Sequence, residues 1–89
     1  MKFNNEDLNL TILMEECAEV IQVCSKIKRF GIDDFHPKEK EINRNVLERE
    51  LGDLMCMAAI LVKQGTIQEA NIEQASLNKL KKLERWYEI

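Results

Sequence analysis

Proline and glycine are scarce, with one Pro and three Gly in 89 residues, too few turn formers for an all-β or loop-rich fold. Histidine occurs once, at His36, and with no second His or Cys at ligand spacing a zinc site or a histidine-based triad has no parts. The three cysteines, Cys17, Cys24 and Cys56, are odd in number and show no C-x-x-C spacing. Set in apolar helical text, they are expected to be buried thiols of a reducing cytoplasm rather than a disulfide framework. The longest apolar run, Leu54 to Val62, is far shorter than the ~20 residues needed to cross a bilayer. The first residues, Met1 to Asp7, lack the basic-then-apolar order of a signal peptide. Neither an export signal nor a membrane anchor is expected, and the expected location is cytoplasmic. Basic charge is not in excess: 13 Lys and Arg stand against 16 Asp and Glu, a net charge of −3. That is the wrong sign for a phosphate-backbone binder, so no nucleic-acid partner is expected.

Hydrophobic residues make up 45% of the chain and charged residues 33%, the balance of a small globular protein rather than a disordered one. No internal repeat or linker divides it, and residues 1–89 read as a single helical domain. A domain of this size buries only somewhat over ~60% of its unfolded surface, so a partner subunit is expected from size alone. The first helix is expected from about Asn5 to Arg29. An Asn caps its acidic first turn, Lys26, Lys28 and Arg29 complement its C-terminal dipole, and Gly31 stops it. The stretch from Phe30 to Asn43 reads as a connection, with one short helical turn expected after Pro37. A second helix is expected from about Asn43 to Gln64, ended by Gly65. Thr66-Ile67-Gln68-Glu69 reads as a capping box opening a third helix that runs to about Tyr87. The fold class is therefore all-α: an antiparallel bundle of three main helices plus a short helical turn, completed as a four-helix-type bundle by oligomerisation.

The first two helices are apolar around most of their circumference, and carboxylates interrupt them. Residues three apart on a helix lie one turn apart on nearly the same face, so Glu16 with Glu19, and Glu50 with Asp53, form two same-face pairs. Carboxylates side by side on helices that otherwise favour burial raise one another's pKa and call for a positive partner. Two helices each offering an acidic pair can surround a hard divalent cation with oxygen ligands, which suits Mg²⁺ or Mn²⁺ rather than Zn²⁺. Glu48 lies on the other side of the second helix and reads as a surface residue.

The text Glu15-Glu16-Cys17-Ala18-Glu19 followed by Glu50-Leu51-Gly52-Asp53 resembles the EExxE and ExxD pair of the MazG-like all-α nucleoside triphosphate pyrophosphohydrolases. The likeness covers most of the chain, including the apolar text around both motifs and a basic C-terminal helix. It implies a Mg²⁺-dependent hydrolase that cleaves the α–β phosphate bond of an NTP or dNTP to give the monophosphate and pyrophosphate. Glu16, Glu19, Glu50 and Asp53 are the metal ligands it implies, with Glu15 supporting them, a second ion or the attacking water. It also points to a homodimer or homotetramer with sites at or near the interface. Two departures stand out: the 30 residues between Glu19 and Glu50 form a long spacing, and Met57 stands where relatives often carry an aromatic residue.

A bound polyphosphate needs charge-assisted donors beside the acidic site. Lys26 lies two turns past Glu19 and close to it in angle. Lys79 interrupts the apolar side of the third helix formed by Ile72, Leu80, Leu83 and Trp86, with Lys82 one turn on and Asn78 beside them. The Asn and Lys combination is similar to that on the last helix of relatives. Phe30, Phe35, Trp86 and Tyr87 are the candidate base-stacking groups. The competing reading is a non-catalytic helical interaction or oligomerisation module, whose carboxylates pair with Lys and Arg and whose stability is indifferent to Mg²⁺.

Overall fold

The structure, a computed structural model, describes residues 4–35, 38 and 40–87. Its elements are α1 (Glu6–Phe30), α2 (Asn43–Lys63) and α3 (Glu69–Tyr87), with no strand among the described residues. The ends of α1 obey local chemistry. Asn5 Oδ1 accepts from the Leu8 amide at 3.0 Å, Glu6 and Asp7 fill the first turn, and Lys28 and Arg29 fill the last. Gly31 then adopts φ 102°, a conformation that side chains resist, while its N–H still donates to the Ile27 carbonyl at 2.7 Å. His36 and Pro37, and with them the helical turn expected there, lie outside the described residues.

Helices α1 and α2 form an antiparallel pair, since residues flanking opposite ends meet. Asn9 near the start of α1 donates from Nδ2 to Gln64 Oε1 just past α2, at 2.6 Å. At the other end, Asn43 Nδ2 donates to the Gly31 carbonyl at 2.9 Å. The core is the seam between them, where Val23, Met57 and Leu61 are buried along with the side chains of Asn9 and Asn43. The connection is stapled to this end. The Asn43 amide donates to the Asp34 carbonyl, the Arg44 amide to that of Ile32, and the Arg44 guanidinium grips both Asp33 carboxylate oxygens at 2.7 and 2.9 Å. That grip holds the Asp33 carboxyl below its usual range. Because α2 has no side-chain cap of its own, Asn43 is the residue that closes the turn. Asn43→Ala should destabilise the fold by ~1–3 kcal/mol, since it removes a buried side chain and the shorter of two hydrogen bonds to the Gly31 carbonyl, which keeps only the 3.4 Å bond from the Asp34 amide. Thermal melting of it beside Arg44→Ala, which removes only an exposed pair, should show the much larger loss at Asn43.

Two expectations need correction. Thr66 does not open α3: its hydroxyl donates to Glu6 Oε2 at 2.9 Å and accepts from Gln64 Nε2 at 2.6 Å, and the first helical residue is Glu69. This chain of contacts ties the start of α1 to the α2–α3 turn, where Gly65 takes φ 87°. The cysteines are not buried either. All three are exposed, because the core of one chain is confined to the α1–α2 seam and each thiol faces away from it. Helix α3 packs little against that pair and buries none of its own residues. The described chain is consequently a slab, 41 × 38 × 16 Å, with a radius of gyration of 15.9 Å, against about 12 Å for a compact domain of this length.

Candidate metal centre

Glu16 and Glu19 come from the middle of α1, and Glu50 and Asp53 from the first half of α2. The one-turn spacing of each pair and the antiparallel crossing bring them together. One oxygen from each of the four carboxylates lies within 4.8 Å of every other. Glu16 and Glu50 are half-buried, Glu19 and Asp53 exposed, so the cluster has a closed floor and an open mouth. At the floor, Glu16 Oε2 and Glu50 Oε2 are buried and have no hydrogen-bond partner.

The electrostatics follow from this crowding. Glu16 is pushed above the usual carboxylate range by burial first, then by the charges of Glu19 and Asp53, a side-chain hydrogen bond with Glu19, and the charge of Glu15. Glu50 rises to about 6 through a hydrogen bond with Glu19 that requires a proton, through burial, and through repulsion from Glu19 and Asp53. Arg49 opposes the rise. Its Nη2 stands 3.7 Å from Glu50 Oε1, while its Nη1 donates to Glu41 Oε1 in the connection. Four close carboxylates, two with unpartnered buried oxygens, form an all-oxygen donor set that a hard divalent cation fits. The same floor without a cation is strained by like charge.

The match of this chain to known proteins is with one family. A family model for the MazG nucleotide pyrophosphohydrolase domain matches residues 4–87, nearly the whole chain. The chain belongs to the MazG family. No curated protein and no solved structure shows a significant match to it. The MazG family generally uses a divalent metal, and no helix among the described residues of this MazG domain is long and apolar enough to cross a membrane.

The other sequence-derived candidates are distributed differently. Glu15 is exposed beside the four and acts on Glu16 through its charge. Lys26 is half-buried on α1. Lys79 and Lys82 line a shallow pocket with Leu83, Arg85 and Trp86, all residues of α3, so that pocket shares no wall with the carboxylates. Asn78 Oδ1 accepts from Gln74 Nε2 at 3.1 Å along the same helix. Met57 is buried in the α1–α2 seam, where it serves packing. Of the candidate stacking groups, Trp86 is the most exposed, and Phe30 lies under the Arg29 guanidinium, 5.5 Å from it. Arg49 is the residue that sequence reasoning passed over. Its signal was present: it precedes Asp53 by four residues and so shares its face of α2.

Proposed function

We propose that this MazG domain is a Mg²⁺-dependent nucleotide pyrophosphohydrolase, with Mn²⁺ as a competent substitute, that cleaves the α–β phosphate bond of an NTP or dNTP. The observation that carries this is the convergence of four carboxylate oxygens from two helices within 4.8 Å. Glu16, Glu19, Glu50 and Asp53 hold the ion, and the unpartnered oxygens of Glu16 and Glu50 find their missing partner in it. When bound, the cation supplies charge neutralisation on the phosphate oxygens and a lower pKa for water. Glu15, at the exposed edge, orients the attacking water. The water oxygen adds to the α phosphorus, the bond from that phosphorus to the α–β bridging oxygen breaks, the bridging oxygen leaves with pyrophosphate, and the proton of the water passes to solvent. Lys26, Asn78, Lys79 and Lys82 are the proposed donors to the phosphates and the leaving pyrophosphate.

The α3 donors require a second chain. The accessible surface is 7295 Å², against about 5,400 Å² for a compact monomer of this mass. Met14 and Ile21 on α1, Met55 on α2, and Leu77 and Leu80 on α3 are each at least half exposed, a surface that a soluble monomer rarely leaves open. A homodimer or homotetramer would cover these faces, complete the bundle and bring the basic side of α3 to a carboxylate cluster.

Pyrophosphate release from a panel of canonical and modified NTPs and dNTPs, with Mg²⁺, with Mn²⁺ and with chelator, tests the reading. The expected result is metal-dependent release of pyrophosphate and an equal amount of monophosphate. Absence of turnover with every nucleotide by a folded oligomer would move the assignment to the interaction module.

A further inference from the structure

We infer that Arg49 is a polyphosphate-binding residue of the carboxylate site, held beside Glu50 by Glu41 and released to the substrate when phosphate displaces that carboxylate. The inference rests on the nucleotide reading above and adds a donor that neither the motif pair nor the lysines of α3 include. Four ionised carboxylates stay net negative with one divalent ion and reach only neutrality with two, so a polyphosphate arriving there still needs a cationic donor within reach. Arg49 meets that need from the ion-holding helix itself. It shares the Asp53 face of α2 and stands one residue before Glu50.

Its present contacts leave donors to spare. Nη1 is engaged by Glu41, but Nη2 is 3.7 Å from Glu50 Oε1, close enough for charge attraction and too far for a hydrogen bond. The Arg49 side chain is 52% exposed and that of Glu41 44%, so the pair sits at the solvent rim, where an incoming anion can exchange with a carboxylate. A guanidinium fork matches two phosphate oxygens at once, a geometry that an ammonium cannot reproduce. Helix α2 fixes the root of the side chain, and the connection between α1 and α2 supplies the competitor. Glu41 thus holds one arm of the guanidinium while the other stays beside Glu50 without a hydrogen bond to it.

Arg49→Gln, Arg49→Lys and Glu41→Gln separate this role from a purely structural ion pair. The readouts are binding of pyrophosphate in the presence of Mg²⁺, measured by calorimetry, binding of Mg²⁺ alone, and the split between KM and kcat. Arg49→Gln should weaken pyrophosphate binding and raise KM by about tenfold or more, with Arg49→Lys intermediate and Mg²⁺ binding nearly unchanged. Glu41→Gln should act in the opposite direction, tightening pyrophosphate and lowering KM, because it frees the guanidinium. If Glu41→Gln weakens binding as Arg49→Gln does, the pair is a tether and the inference is overturned. It is equally overturned if Arg49→Gln leaves pyrophosphate binding intact, if only Mg²⁺ affinity falls, or if the wild-type chain does not bind pyrophosphate with Mg²⁺. Arg49-dependent binding of pyrophosphate by a chain that hydrolyses no nucleotide would uphold Arg49 and reject the hydrolase reading alone.

Discussion

Replacing Glu50 with glutamine or Asp53 with asparagine is expected to lower nucleotide turnover by about a hundredfold or more while leaving the helices intact. Groups that merely orient a metal ligand are worth up to about a hundredfold, so loss of a ligand's charge should cost at least as much. Neither residue belongs to the Val23, Met57 and Leu61 core, so the fold does not depend on their charge. The metal-free variants should in fact melt a few degrees higher than the wild type near neutral pH. Glu50 shares its surroundings with Glu19, Asp53 and a buried oxygen that lacks a partner, and its carboxyl is already pushed to about 6. A neutral isostere relieves that repulsion without opening a cavity. Circular dichroism melts with chelator, run beside pyrophosphate-release assays, give both readouts. Undiminished turnover in both variants would remove the cluster from the mechanism, and lower melting in both would show the carboxylates to be structural.

Mg²⁺ should raise the melting temperature strongly at pH 7.5 and hardly at all at pH 5. A carboxyl whose pKa is raised on folding binds more protons in the native than in the unfolded state. The stability of the metal-free chain is then greatest below the unfolded value of 4.5 and falls as the pH climbs through about 6, where Glu50 loses its proton. Glu16 shifts in the same direction and adds to the effect. Asp33 works oppositely, since its Arg44-held carboxyl contributes stability that is lost only as the pH drops below its unfolded value of 3.8. The two effects therefore occupy separate windows. A divalent cation requires the ionised ligands, so its stabilisation appears as the protons leave and offsets the repulsion they had masked. Differential scanning fluorimetry at the two pH values, with and without Mg²⁺, checks this. Equal Mg²⁺ shifts at both pH values would show that the ion binds somewhere other than the clustered carboxylates.

Much of this architecture was legible in the order of residues because it is governed by neighbours within one or two turns. Asn5 caps α1, Gly31 follows its end at positive φ, and the expected limits of the first two helices fall within a residue of those observed. The same locality made the two acidic pairs readable, since a spacing of three determines that Glu16 faces with Glu19 and Glu50 with Asp53 whatever else the chain does. The meeting of the two pairs is a different matter. It depends on the register between α1 and α2, which is set by Asn9 reaching Gln64 across the chain and by Asn43 closing on Gly31.

Other features depended on contacts that spacing cannot encode. The capping-box reading of Thr66 lost to a partner sixty residues away, Glu6, and α3 began later for that reason. The thiols of Cys17, Cys24 and Cys56 are apolar enough for a core, yet a seam between only two helices covers one stripe of each and leaves the thiols outside. Arg49 reads as an ordinary surface charge until the connection folds back and places Glu41 on one arm of its guanidinium and Glu50 beside the other. The order of residues alone dictates the helices and which residues share a face on each, because the 3.6-residue period is a property of the local backbone. The tertiary structure alone decided which faces meet and which charges become neighbours, because those follow from the crossing of helices held by contacts distant in the chain.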